Sequence, residues 1–312
     1  MQLVGTQQAA QRFRQAAALL PGAMRQAMEA LEEREQSEAE EIRLRAGFPP
    51  TLTGAWGEKR LRGCTEPVKV GDLSLTLEIA TKASAHTALE QVRNGFFTVQ
   101  GGHRIGICGS VVLRDGGVRN VRQLSSLAVR VAREAPGISA PVLEALCRGG
   151  RLPSTLILSP PGRGKTTLLR DMIRAVSDGD GLPPLRVGVA DERGELAAMV
   201  QGKPQLAIGR QTDVLDGCPK GQGLLMLLRG MNPQVLAADE ITAPEDIEAL
   251  EMAANCGVTL LATAHAENLE DLARRPLYRR LLCLGVFERA VLIRRDGLQR
   301  RYEVVNMGDV EP

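Results

Sequence analysis

The segment that most constrains this chain is Ser159-Pro160-Pro161-Gly162-Arg163-Gly164-Lys165-Thr166-Thr167, set between the apolar run Thr155-Leu156-Ile157-Leu158 and a helix-forming stretch over residues 166–176. Glycines lack a Cβ, so backbone N–H groups can converge on anionic oxygens, and the helix that follows turns its positive end toward them. In such a cradle Lys165 reaches the β- and γ-phosphates of a nucleotide, and Thr166 offers its hydroxyl to Mg²⁺. Ser159 stands where the first glycine of the pattern usually stands, a place that a small residue can fill. A strand, loop and helix of this kind need a sheet around them. Residues 187–190, 235–238 and 258–262 are further apolar runs of strand length, separated by helical stretches such as 244–255. Continuous apolar strands alternating with helices predict a mainly parallel sheet covered on both faces. Residues 291–304, turning at Asp296-Gly297, predict a closing hairpin.

Acidic and basic groups follow the ends of these runs. Val235-Leu236-Ala237-Ala238 leads into Asp239-Glu240. Downstream of a phosphate loop, Asp239 can hold the hydration shell of Mg²⁺, and Glu240 can polarise an attacking water. Asp191-Glu192-Arg193 follows the run at 187–190, and Thr263-Ala264-His265 follows the run at 258–262. Ligands of open α/β sheets bind beyond the carboxyl ends of the strands, so these groups are expected in one crevice. Taken alone, His265 fits a hydrogen-bonded structural histidine equally well.

The N-terminal half has a different texture. Residues 1–40 form a helical segment interrupted at Pro21-Gly22, with an acidic run over 32–41 that reads as a solvated helix face. Residues 41–45 alternate charged and apolar side chains and stop at Gly47 to Pro50, as a half-buried strand does. Leu73-Ser74-Leu75-Thr76-Leu77 alternates in the same way and predicts another strand. A helix is expected over 85–94, and a glycine-interrupted strand over 104–113 that turns at Asp115-Gly116-Gly117. Residues 41–135 then make a small α+β domain, a linker lies within 134–141, and 136–312 carry the phosphate loop. A length of 312 residues suits two domains. With 39 basic and 37 acidic residues the net charge is only +2, which does not suit a chain that coats nucleic acid. The six cysteines are scattered without a CxxC pair, which points to packed thiols and no metal. No signal sequence and no apolar run long enough to span a bilayer is present, so a cytoplasmic protein is expected, peripheral to a membrane only through partners.

The ordered set of phosphate loop, Asp191-Glu192-Arg193, Arg229-Gly230-Met231-Asn232-Pro233, Asp239-Glu240 and Thr263-Ala264-His265 resembles the secretion-superfamily ATPases of type II and type IV secretion and of type IV pili. Residues 41–50 resemble the first-domain strand and turn of that superfamily, and residues 93–106 are similar to its stage III sporulation AA family. That family is the cytoplasmic ATPase of the channel between mother cell and forespore in endospore-forming bacteria. The resemblance implies a small α+β N-terminal domain followed by a RecA-like P-loop domain, assembled as hexameric rings with ATP and Mg²⁺ bound between a subunit's two domains. Implied roles are auxiliary catalytic acid for Glu192, water activation for Glu240 and γ-phosphate sensing for His265. An N-domain arginine would complete the site, with Arg104 the first candidate and Arg122 the second. Membrane proteins of the channel would be the partners. Asp239 stands where pilus motors often carry glycine, and the four-cysteine zinc motif of some type II enzymes is absent. Two other readings fit the same motifs. One is a nucleic-acid-binding ATPase using Arg119, Arg122, Arg130 and Arg133, although aromatics at 3% leave little for base stacking. The other is a nucleotide-gated scaffold with little turnover.

Overall fold

The computed structural model describes residues 2–82, 95–114, 117–296 and 299–309. The chain forms two compact units, one of residues 1–134 with 199–205 and the other of 135–198 with 206–312.

The first unit opens with three helices, α1 (Gln2–Ala17), α2 (Gly22–Glu29) and α3 (Glu33–Glu38), broken before Gly22 by extended Pro21. They lead into β1 (Ala39–Arg45), β2 (Thr51–Gly54), β3 (Gly57–Arg60), α4 (Val70–Thr81), β4 (Phe96–Thr98), β5 (Arg104–Arg114) and β6 (Gly117–Arg130). The six strands make an antiparallel sheet in the order β3-β2-β1-β6-β5-β4. Its apolar face and the helices share one core, in which Phe13, Leu20 and Met28 meet Ile42, Leu44, Leu52, Ile105 and Val129.

One expectation fails in this unit and another holds in part. Leu73 to Leu77 lie inside helix α4, not in a strand. The alternation that suggested a strand also sets Leu73 and Leu77 one helical turn apart, facing the core with Ala80. Asp72 accepts the backbone N–H of Lys69 at 2.8 Å and fixes the start of the helix. The acidic run is exposed at Glu32, Glu33 and Glu40, as a solvated face is, but not throughout. Gln36 is buried, its amide donating to the carbonyls of Met28, Glu29 and Leu31, and Glu41 is buried on β1 between Arg43 and Arg130. The helix expected at 85–94 and the turn residues Asp115, Gly116 and Gly297 lie outside the described residues.

The second unit contains α5 (Ala140–Leu146), β7 (Thr155–Leu158), α6 (Lys165–Asp178) and β8 (Val187–Asp191). The short strands β9 (Met199–Val200) and β10 (Lys203–Pro204) pair with each other and belong to the first unit. Then come β11 (Thr212–Asp216), α7 (Lys220–Gly230), β12 (Val235–Ala238), α8 (Pro244–Asn255), β13 (Thr259–Ala264), α9 (Leu269–Arg274), α10 (Pro276–Cys283), β14 (Arg289–Asp296) and β15 (Gln299–Asn306). The sheet order is β11-β8-β12-β13-β7-β14-β15, parallel from β11 to β14 and closed by the antiparallel pair β14–β15. Strands β7, β8 and β12 are buried along their whole length, as strands covered on both faces must be. Two segments pack closely on α6, residues 137–139 at the unit's start and Gly209 after β10. Asp171 accepts from Gly137 N at 3.0 Å, Ser139 N at 2.8 Å, Ser139 Oγ at 2.7 Å and Arg174 Nε at 2.8 Å. Gly209, at φ 85°, packs where an added Cβ would lie 2.4 Å from Ser177 Cβ.

Candidate nucleotide site

Strand register gathers the site. Ala238 of β12 pairs with Ala190 of β8 and with Ala262 of β13, and Ala264 of β13 pairs with Leu158 of β7. The residues that follow those positions, Asp191 to Arg193, Asp239-Glu240, His265 and Ser159, therefore leave the same edge of the sheet side by side, with Thr263 beside Asp239. This is the carboxyl edge at which α/β sheets bind their ligands.

The loop from Ser159 to Gly164 connects β7 to α6. Gly162 and Gly164 take left-handed backbone at φ 72° and 95°, a conformation that costs a glycine nothing. Gly164 is the residue just before α6, so the unpaired amides at that helix start face the loop. Ser159 replaces a glycine without strain because its own φ is not positive, and the residue is buried with its Oγ donating to Pro160 O at 3.0 Å. Pro160, Arg163 and Thr167 are half-buried, and Pro161 is exposed.

Lys165 closes the loop on itself. Its Nζ donates to Ser159 O at 2.7 Å, to Pro160 O at 3.1 Å and to His265 Nδ1 at 2.8 Å. Burial pulls the ammonium below the ordinary lysine range, while Asp239 and Glu240 pull it back up. An ammonium can only donate, so Nδ1 of His265 is the acceptor and its Nε2–H donates to Glu240 Oε1. Glu240 Oε2 accepts from Arg193 Nη1 at 2.6 Å. Glu240 also holds left-handed backbone, at φ 55° without being a glycine. Its N–H donates to Thr263 Oγ1 at 2.8 Å.

A second set of contacts centres on Asp239. Its Oδ2 accepts the Thr166 hydroxyl at 2.6 Å and its Oδ1 the Thr263 hydroxyl at 2.6 Å. Burial raises the pKa of this carboxyl, and the two hydroxyls act against it. Thr166 and Asp239 thus present hard oxygen donors at the helix start. Mg²⁺ is commonly held by one or two side-chain oxygens completed by phosphates and water, so this pair fits it. Groups of three or more His, Cys, Asp or Glu that could hold a metal by themselves do not occur among the described residues.

Asp191 is structural. It accepts the backbone N–H of Glu195 at 2.9 Å, Leu196 at 3.1 Å and Ala197 at 2.8 Å, and shapes the loop after β8. Glu192 accepts from Lys220 Nζ at 2.6 Å, with Lys220 on the buried face of α7 near Asp246. Asp246 in turn accepts from Gly221, Thr242 and Ala243 amides and so ties the starts of α7 and α8 together.

Motif reading missed Arg193 as the partner of Glu240, and Lys220 as the partner of Glu192. It also gave Thr263 no role, although its buried hydroxyl links Asp239 to the Glu240 backbone. Arg229 is not at this edge. It ends α7 at the amino end of the strands, lining a separate cavity of about 1080 Å³ with Arg151 and Arg186. Arg104 lies on β5 of the first unit with its guanidinium 3.8 Å from the centre of the Phe96 ring. Of the arginines considered for nucleic acid, Arg130 pairs with Glu41, and Arg133 donates to the carbonyls of Ser37 and Ala39.

A family profile described as sporulation stage III, protein AA matches residues 10–305. Stage III sporulation protein AA of Bacillus subtilis (strain 168) is 38% identical over 280 residues, covering 88% of each chain. Among solved structures, the pilus retraction motor PilT with bound ADP superposes with a TM-score of 0.58 at 19% identity, covering 86% of this chain and 79% of its own. The Legionella pneumophila ATPase DotB gives 0.56 at 15% identity, covering 86% and 75%. At these identities the likeness is one of fold, and the second unit has the RecA-like P-loop architecture.

Proposed function

This chain belongs to the sporulation stage III, protein AA family, and from that premise we propose that it is a secretion-type motor that hydrolyses ATP at the β–γ bond to energise a membrane channel between mother cell and forespore. The observation that carries this reading is the convergence of Lys165, His265, Glu240, Thr166 and Asp239 through direct hydrogen bonds at one sheet edge. Lys165 leaves its loop carbonyls for the β- and γ-phosphates, and the amides at the start of α6 neutralise phosphate charge. Glu240 orients the water and takes its proton. His265 joins Lys165 to Glu240 and so senses whether phosphate has displaced the ammonium. Glu192, held by Lys220, serves as the auxiliary acid. Thr166 and Asp239 hold Mg²⁺, which supplies Lewis-acid polarisation of the phosphates when bound. Arg104, with Arg122 as the alternative, completes the site from the first unit. Hexameric assembly shares sites between subunits, and membrane proteins of the channel anchor the ring. No helix among the described residues is long and apolar enough to cross a membrane.

The test is ATP turnover across a protein concentration series with mass-resolved oligomeric state, for the natural chain and Glu240→Gln. Turnover that rises with ring assembly and vanishes in the variant is expected. Turnover unaffected by Glu240→Gln would show that the water is activated elsewhere.

A further inference from the structure

Glu240 enters the cleft with both carboxylate oxygens taken, Oε1 by His265 Nε2 and Oε2 by Arg193 Nη1 at 2.6 Å. A carboxylate offers about four lone-pair sites, of which these two donors fill one on each oxygen, and a cation held on Oε2 lowers the basicity with which Glu240 can take a proton from water. The two donors differ in freedom. His265 directly follows β13 with its side chain 27% exposed, and Lys165 holds its Nδ1 until phosphate draws the ammonium away. Arg193 sits in the turn after β8, beside Gly194 at φ 63°, with its side chain 56% exposed. Lys220, the cation on the neighbouring acid Glu192, is only 6% exposed and fixed in α7. Arg193 is therefore the cation that can change partner without moving a packed element.

We propose that Arg193 is a two-position cation of the nucleotide site, holding Glu240 when no γ-phosphate is present and moving to the γ-phosphate oxygens of bound ATP. This rests on the ATP-hydrolysing role proposed above. The guanidinium is joined to Lys165 Nζ, the group aimed at the β- and γ-phosphates, by a hydrogen-bonded chain through Glu240 and His265. A phosphate carries more charge than a carboxylate and accepts the planar fork of an arginine bidentately, so the exchange is favourable. Its departure frees Oε2 of Glu240 to accept from the attacking water. In the reaction the water oxygen bonds to the γ-phosphorus as the bond from that phosphorus to the β–γ bridging oxygen breaks. The bridging oxygen leaves on ADP, and the proton of the water passes to Glu240 and then to the released phosphate. Arg193 exchanges no proton; it stabilises the charge spread over the equatorial oxygens. Once phosphate has left, ADP offers nothing at that position and Arg193 returns to Glu240.

The experiment uses the full chain as wild type, Arg193→Ala and Arg193→Lys. It measures affinity for fluorescent ADP and for a β,γ-imido ATP analogue with Mg²⁺, together with ATP turnover. Arg193→Ala should weaken analogue binding about tenfold and leave ADP binding unchanged, with turnover reduced about a hundredfold. Arg193→Lys should recover part of both losses. Equal loss for the two nucleotides, or unchanged analogue binding with turnover at or above wild type, would overturn the proposal and leave Arg193 a simple restraint on Glu240. If wild type distinguishes the analogue from ADP through Arg193 yet does not turn over, the hydrolytic reading fails while the assignment of Arg193 stands. Binding of neither nucleotide by wild type overturns both. A melting curve of Arg193→Ala that matches wild type excludes unfolding as the cause.

Discussion

The hydroxyl of Thr166 lies 2.6 Å from Oδ2 of Asp239, joining the first turn of α6 to the end of β12. The helix that carries the phosphate loop and the strand that carries the acids are thereby in register before any cation arrives. Asp239→Asn keeps an acceptor for Thr166 but removes the negative charge. We expect it to abolish the gain in nucleotide affinity on adding Mg²⁺ while leaving metal-free ADP binding intact, as measured by titration with and without EDTA. Equal Mg²⁺ dependence in the variant would show that the cation is held elsewhere.

Lys165→Ala should reduce turnover by at least about a hundredfold, since a preorganised donor on the phosphates is lost. It also strips the carbonyls of Ser159 and Pro160 of their shared donor and His265 of its Nδ1 partner. Imidazole proton resonances of His265 should therefore shift in the nucleotide-free variant. An unshifted spectrum would contradict the observed contact.

Much of this was legible in the residues, and the reasons are physical. The loop from Ser159 to Thr167 announces itself because glycine and lysine at that spacing between an apolar run and a helix have few other uses. The strand ends at Asp239, Asp191 and Thr263 followed from runs of buried side chains. Partner choice did not follow. Arg193 is 47 residues from Glu240 and Lys220 is 28 residues from Glu192, and only the adjacency of β8 and β12 brings the first pair together. No local pattern encodes which parallel strands are neighbours. Leu73 to Leu77 misled for the opposite reason: five residues of alternation satisfy a strand and a helix alike, and the Asp72 cap decides.

His103 gives a pH prediction for the first unit. The ring is fully buried, its Nδ1 accepts from Ala132 N at 3.1 Å, and burial, with Arg12 nearby, lowers its pKa from 6.5 to about 4. A histidine held neutral contributes its stability in full above pH 6.5 and loses it as pH falls toward 4. The loss should reach about 3 kcal/mol between those limits. Denaturant unfolding at pH 7 and pH 4.5 should show this fall, and His103→Gln should flatten it. An equally steep fall in the variant would assign the effect to other groups.

Asp171 gives a stability prediction for the second unit. Its four donors from Gly137, Ser139 and Arg174 converge on a buried carboxylate, and Asp171→Ala leaves them without an acceptor. The expected cost is about 3 kcal/mol, read from denaturant unfolding of the variant beside the natural chain. A change below about 0.5 kcal/mol would mean that water replaces the carboxylate at no penalty.

The left-handed backbone of Glu240 sets two demands on one position. Folding alone would favour glycine or asparagine there, because a longer side chain at positive φ costs on the order of 1 kcal/mol. A library of variants selected only for heat resistance should therefore drift toward glycine at 240, and each such winner would have given up the carboxylate proposed to activate water. Thermal selection and selection for the proposed ATP turnover would pull the same codon in opposite directions.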